Sequence, residues 1–284
     1  ALKPNARWLG HRAGQYVALT VEVAGVRRTR CFSISSPPRR PGEPFEVTVK
    51  VRPGGAVTPT LVYHTGPGTI VGLSQAQGDF VLPEVLPARL LFVSGGSGIT
   101  PLMSMLRALT ASGERLPELT FVHFARSRDG VIFRDELATL AAKHPSLRLA
   151  IETETESGRP PALTEHSLAA IVPDYDRCET WACGPEALLL ATTGAFHARH
   201  ATGRLHTERF GFAPAPANTA STGAQVRFSR SRVEARSRDG ESLLALAEGA
   251  GVALASGCRM GICRTCVCRK VSGTTRDLRT GALS

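Results

Sequence analysis

The chain has 284 residues, 42% of them hydrophobic, and a formal net charge of +10 carried almost wholly by arginine. That length fits about two domains, or three small ones. No run approaches the roughly 18 apolar residues of a membrane span, so the chain is not itself expected to be transmembrane. No basic helix interleaved with aromatics occurs, which argues against nucleic acid as a partner. The start, Ala1 to Trp8, lacks both a Met and a signal-peptide pattern and reads like the tail of a strand, so a chain trimmed at both ends is expected. Seven cysteines, four of them between 258 and 268, do not form a disulfide framework and suit a reducing cytoplasm.

Residues 1–86 read as all-β. Val17–Val23, Arg28–Ile34 and Phe45–Val51 are short β-rich runs, and turn clusters such as Ser36–Gly42 separate them. Short strands at this spacing predict a small antiparallel β-barrel. Within the second run, Arg30-Cys-Phe32-Ser33 places an arginine and a serine where an ordinary solvated strand face is the simpler reading. Gly54-Gly55-Ala-Val57-Thr58 offers backbone N–H groups and a hydroxyl that could face a diphosphate.

The rhythm then changes over residues 87–212. Leu90–Ser94 is an apolar strand, followed by a helix through Leu109. Leu119–Phe124 is a strand, with a helix over 133–143. Leu147–Ile151 is a third strand and 163–171 a helix. Glu179–Cys183 is a strand leading to a helix from Pro185. This alternation predicts a doubly wound α/β domain with a parallel sheet. Ser94-Gly95-Gly96-Ser-Gly98-Ile-Thr100-Pro101 sits at its first strand-to-helix junction, where glycines let backbone approach a ligand and a helix start offers N–H groups to a pyrophosphate. It is not the G-x-G-x-x-G fingerprint, and a plain tight turn is the competing reading. Cys183-Gly184-Pro185 lies at another such junction on the same sheet edge. No base stands near Cys183 in sequence, so a thiol packed beside a ring is a better reading than a nucleophile. Arg126-Ser127-Arg128 follows the second strand with no acidic residue to take a ribose 2′-hydroxyl.

Residues 213–223, Pro/Ala-rich, read as a semi-extended linker. Residues 224–284 start with a hairpin over 226–236 and a short helix over 242–248. Cys258-Arg-Met-Gly-Ile-Cys263-Arg-Thr-Cys266 follows. C-x4-C-x2-C is the plant-type ligand spacing for a [2Fe–2S] cluster. Zinc prefers paired C-x2-C units, and no second pair exists. A fourth ligand is expected beyond Ser284, and Cys268 is expected to pack in the core. This segment carries eleven Lys/Arg against five Asp/Glu, a surplus that suggests docking on an acidic acceptor and turnover that weakens with salt.

In this order, the motifs resemble the ferredoxin–NADP reductase superfamily, and more narrowly the reductase components of bacterial oxygenases and desaturases. The resemblance spans essentially the whole chain. It implies a flavin barrel, a nicotinamide domain and a plant-type ferredoxin domain of the α+β β-grasp type, with FAD (FMN as the alternative), NADPH or NADH, and a [2Fe–2S] cluster as cofactors. By this resemblance Arg30 meets the flavin phosphate, Phe32, which replaces the commoner Tyr, packs on the ring system, and Ser33 sits near N5. Gly55 and Thr58 match the phosphate loop, with Val49 and Val57 beside them. Gly95, Gly96, Gly98, Thr100 and Pro101 match the nicotinamide-cofactor loop, with Arg126, Ser127 and Arg128 on the adenosine side, where they suit a 2′-phosphate and favour NADPH over NADH; the alternative is that Arg126 is a general feature of the family and is silent on the phosphate. Cys183, Gly184 and Pro185 match the segment beside the nicotinamide. Glu208-Arg-Phe210 closes that domain, with Phe210 shielding the flavin. Ser33 and Cys183 are the candidate catalytic residues, and Cys258, Cys263 and Cys266 the candidate iron ligands. The implied activity is electron splitting from NAD(P)H to a trans acceptor, an oxygenase or a membrane desaturase, which the reductase visits from the cytoplasm. A stand-alone NAD(P)H oxidase or diaphorase, and a redox-sensing module, are the rival readings.

Overall fold

A computed structural model describes residues 1–153, 163–210, 223–238, 241–254, 256, 266–277 and 282–284. The chain divides into two compact units, Ala1–Leu19 with Phe32–Phe210, and Thr20–Cys31 with Gly211–Ser284.

The N-terminal region begins with β1 (Tyr16–Val23) and β2 (Val26–Ser33), joined through Ala24 and Gly25 at φ 50° and 75°. Two consecutive left-handed residues make the tight turn whose twist matches a hairpin. A seven-residue helix α1 (Val57–Tyr63) and a two-residue strand β3 (Gly72–Leu73) follow, and the sheet order is β2-β1-β3. Alternation along β1 sends Val17 and Leu19 into a core with Trp8, Ile34 and Phe45, where Trp8 stacks on Phe45 at 4.9 Å. The expected strand Phe45–Val51 is not continuous. Isolated bridges join Leu2 to Phe45 and Ile34 to Val47. Side chains take over part of the pairing: Glu46 N–H donates to Ser36 Oγ (3.0 Å), and Ser35 Oγ meets Thr48 Oγ1 at 2.9 Å.

The central region is a five-stranded parallel sheet of order β6-β5-β4-β7-β8, built from β4 (Arg89–Gly95), β5 (Glu118–Phe124), β6 (Leu147–Glu152), β7 (Glu179–Gly184) and β8 (Leu205–Arg209). Helices α2 (Ile99–Ala111), α3 (Arg134–Lys143), α4 (Glu165–Ile171) and α5 (Glu186–Ala198) connect them. Period-two alternation gives the sheet two apolar faces. Phe92, Phe121 and Trp181 pack with Leu102, Leu106 and Leu137 from α2 and α3. Val93, Val122 and Ala182 pack with Leu168, Leu189 and Phe196 from α4 and α5. Full burial of each large side chain is worth about 1.5–3 kcal/mol, so the two faces dominate the stability of this region. The sheet grows to either side of β4, which places a crevice at the carboxyl ends of β4 and β7.

Within the first unit, residues 1–19 and 32–86 pack with this sheet. Ala13 and Phe80 join the α2 core, Trp181 Nε1 donates to Val81 O at 3.2 Å, and Arg12 donates to Leu82 O at 3.0 Å.

In the second unit, β9 (Gln225–Phe228) and β10 (Val233–Arg236) form an antiparallel hairpin. Helix α6 (Leu243–Gly249) is capped by Ser242 Oγ, which accepts from Ala245 N–H, and it buries Leu246 and Ala247. Among the described residues, no helix is long and apolar enough to cross a membrane.

Candidate nicotinamide and flavin site

The turn after β4 is shaped by its glycines. Gly96 sits at φ 53°, in the left-handed region, and residues 96–98 form one 3-10 turn leading into α2. Thr100 Oγ1 donates back to Ser97 O at 2.9 Å. The helix begins at Ile99, so Pro101 is its third residue rather than its first. Proline is still tolerated there, because first-turn N–H groups have no partner inside the helix. The turn after β7 is pressed against this one. A Cβ at Gly98 would lie 2.2 Å from Cys183 O. One at Gly95 would lie 2.8 Å from Pro185 Cδ, and one at Gly184 would lie 3.0 Å from Gly95 N. The two glycine segments singled out in the sequence therefore make one interlocked edge.

Below that edge the register sets four polar side chains in a row across four strands. His123 pairs with Ser94, Ser94 with Cys183, and Cys183 with Glu208. Ser94 Oγ and His123 Nδ1 are 2.7 Å apart, both residues fully buried. Burial lowers His123 to a pKa of about 4, so the ring is neutral. Burial, and secondarily the Glu208 charge, pushes the Cys183 thiol far up, so it is protonated and no nucleophile. Burial raises the Glu208 carboxyl to about 8, although the residue's stem is partly exposed. Among the described residues, His123 Nε2, Glu208 Oε2 and Ser33 Oγ are buried without a hydrogen-bond partner. Buried orphans of this kind are expected where a polar ligand completes the set.

Of the residues expected at the flavin, Phe32 is half-buried against the N-terminal core and Ser33, next on β2, is buried. Arg30, half-buried on the same strand, donates to Thr29 O at 2.7 Å. Val57 anchors α1, Thr58 Oγ1 accepts from Arg52 N–H at 2.9 Å, and Gly55 N–H donates to Arg52 O at 3.0 Å. This closes the 52–58 loop, with Gly54 exposed and Gly55 against Arg52. Val49 is half-buried. Arg126, Ser127 and Arg128, expected at the adenosine, are exposed, and Ser127 Oγ accepts from Gly130 N–H at 3.2 Å. Phe210 follows β8 and is 42% exposed. Cys258 and Cys263 lie outside the described residues, while Cys266 is half-buried.

Three family models match in sequence: an oxidoreductase FAD-binding domain over residues 1–82, an oxidoreductase NAD-binding domain over 92–193, and a 2Fe-2S iron-sulfur cluster binding domain over 226–282. An NADPH oxidoreductase of Mycobacterium tuberculosis is 41% identical over 95% of this chain and 70% of its own length. A glycine betaine monooxygenase reductase subunit of Chromohalobacter salexigens is 32% identical over 96% and 80%. The chain belongs to the oxygenase-reductase branch of the ferredoxin–NADP reductase superfamily. The solved structure of phthalate dioxygenase reductase is similar at a TM-score of 0.60 and 27% identity, covering 90% of this chain and 75% of that one.

As a member of that family the protein is an NAD(P)H-dependent electron-transfer oxidoreductase with FAD, NAD and 2Fe-2S domains. The residues fit those groups. The backbone at Gly96 is open, with nothing within 4 Å of its Cβ position, and Ser33 Oγ and Glu208 Oε2 are buried oxygens without a partner. Both glycine turns were evident in the sequence, with Ser94 at the head of the first, but His123 and its contact with Ser94 were not. The available signal was a histidine near the carboxyl end of β5, between Val122 and Phe124.

Proposed function

We propose that this chain supplies an oxygenase with single electrons drawn from NADPH. The observation that supports this reading most is the interlock of Gly98 with Cys183 above the buried row, on the same packed body as Ser33. When bound, FAD would supply hydride acceptance and the cluster one-electron transfer; the chain's own part is to bind, orient and exclude water. Gly95, Gly96, Gly98, Thr100 and Pro101 hold the pyrophosphate with backbone N–H groups. Arg126 and Arg128 take the 2′-phosphate, which makes NADPH the donor. Cys183, Gly184 and Pro185 bound the nicotinamide, with the neutral thiol as a polarizable wall. Arg30, Gly55 and Thr58 hold the flavin phosphates, Val49, Phe32 and Val57 line the flavin, and Ser33 hydrogen-bonds its reacting edge. Phe210 covers the flavin face when nicotinamide is away. Cys258, Cys263 and Cys266 hold the iron. The domain limits are 1–86 for the FAD barrel, 87–212 for the nicotinamide domain, 213–223 for the linker and 224–284 for the β-grasp cluster domain.

Anaerobic titration of the full-length protein with NADPH and then NADH, following flavin and iron–sulfur absorbance together, tests this. Flavin bleaching followed by cluster reduction is expected, with NADPH the better donor. Flavin bleaching with a cluster that never reduces would take the third domain out of the electron path and leave a stand-alone oxidase. Cys266→Ser should lose the cluster spectrum and keep flavin bleaching.

A further inference from the structure

Arg107 lies on α2, two turns beyond the glycine edge, with a side chain only 17% exposed. Its guanidinium joins three segments. Nη1 donates to Ser35 O at 2.8 Å and approaches Glu46 Oε2 at 3.4 Å. Nε and Nη2 fork onto the two oxygens of Glu136 on α3, at 2.7 and 2.6 Å. The plane also lies 4.9 Å over the ring of Phe133, a left-handed residue (φ 63°) at the start of α3. One turn back, Ser104 Oγ donates to Ser36 O at 2.6 Å. Ser35 and Ser36 are buried and follow Ser33 by two and three residues.

We propose that Arg107 is a positioning residue for hydride transfer, fixing the flavin-side strand exit at Ser35 against the helix that carries the dinucleotide turn. This rests on the placement of Ser33 and the glycine edge given under the proposed function. Trp181 to Val81, Arg12 to Leu82 and the packing of Ala13 and Phe80 on the α2 core also join the two regions. Removing Arg107 therefore leaves the two regions together but frees the register of the strand end that bears Ser33. Only a planar fork reaches Ser35 O and both Glu136 oxygens at once, so lysine is a poor substitute.

The test uses the full chain loaded with FAD and cluster, as wild type, Arg107→Lys and Arg107→Met. Stopped-flow under anaerobic conditions separates the NADPH dissociation constant from the limiting rate of flavin bleaching. Arg107→Met is expected to lower the limiting rate about 10- to 100-fold, because small displacements of reacting atoms are costly. Its dissociation constant should stay within about twofold of wild type. Arg107→Lys should recover only part of the rate. In the cofactor-free chain, amide exchange at Ile34 and Ser35 should rise about tenfold in Arg107→Met, as local opening becomes easier. An unchanged rate, or a rate that falls only with affinity, overturns the proposal, as does unchanged exchange. Should Arg107→Met fail to fold, Ser104→Ala carries the same expectations at smaller size. A wild-type flavin that NADPH does not bleach would instead overturn the functional reading, since the exchange measurement needs no cofactor.

Discussion

Gly98 meets Cys183 so closely that a side chain at Gly98 has no room: its Cβ would stand 2.2 Å from the Cys183 carbonyl oxygen and 2.7 Å from the Gly184 α-carbon. Backbone from two separate βα junctions is thereby brought into direct contact at the crevice mouth. Real Cβ atoms do not approach backbone this closely, so any larger residue must push the two turns apart.

Gly98→Ala should therefore destabilise the protein by about 1–3 kcal/mol, the range for forced overpacking. It should also weaken NADPH binding about tenfold or more, since 1.4 kcal/mol is one decade. Gly96→Ala makes a contrast. Nothing lies within 4 Å of its Cβ position, and its cost comes from φ +53° alone, about 1–2 kcal/mol. Thermal unfolding and NADPH titration of both variants check this. A Gly98→Ala protein that melts and binds like wild type would contradict the interlock.

The Cys183 thiol is fully buried and held protonated, by burial first and the Glu208 charge second. Thiolate is the reactive form, so Cys183 should resist alkylation in the folded protein about 100-fold or more relative to an exposed thiol. Iodoacetamide labelling at mildly alkaline pH, read by peptide mass spectrometry, should modify it only after denaturation. Prompt labelling in the native protein would show an accessible thiolate and reopen a nucleophilic role.

Arg126 and Arg128 are exposed on the turn after β5, one strand away from the glycine edge. Their assignment to a 2′-phosphate makes a selective prediction. Arg126→Ala and Arg128→Ala should each weaken NADPH about 10-fold, the scale of one charge-assisted hydrogen bond, and leave NADH within about twofold. Equal losses for both nucleotides would mean that the arginines hold the shared pyrophosphate or only the fold.

Four of the five central strands were legible in the sequence because each is a largely apolar run ending in a turn signal. The predicted runs at 90–94, 119–124, 147–151 and 179–183 each fall inside an observed strand. β8 escaped notice because its residues, Leu205-His-Thr-Glu-Arg209, are mostly polar, as an edge strand paired on one side can be. Helix α1 escaped because Val57-Thr-Pro-Thr-Leu-Val-Tyr63 is β-branched and carries a proline, which its first turn tolerates. Both glycine turns could be named from sequence, but not their contact, because residues 98 and 183 are brought together only by strand order. For the same reason the row of His123, Ser94, Cys183 and Glu208 exists only in the register of four strands. The bridging role of Arg107 is equally invisible on a helix face read alone.

His123 and Glu208 stand at opposite ends of that row and should tilt stability in opposite directions with pH. Burial depresses His123 from 6.5 to about 4, so the unfolded chain binds the extra proton in that interval. The stability that neutral His123 contributes is present above about 6.5 and is lost as pH falls towards 4. Burial raises Glu208 from 4.5 to about 8, so the folded chain holds the extra proton there. Its contribution is present below about 4.5 and is lost as pH rises through 8. Glu208→Gln, which cannot ionise, should be more stable than wild type at about pH 9 by on the order of 3 kcal/mol, and the gap should close at acid pH. His123→Asn keeps a polar group near Ser94 but does not titrate. It should lose less stability than wild type between about pH 6.5 and 4, by a similar order. Denaturant unfolding of the three proteins across this range decides both. Parallel pH curves for wild type and Glu208→Gln would show that the carboxyl is hydrated and ionises normally, and parallel curves for His123→Asn would show the same of the imidazole.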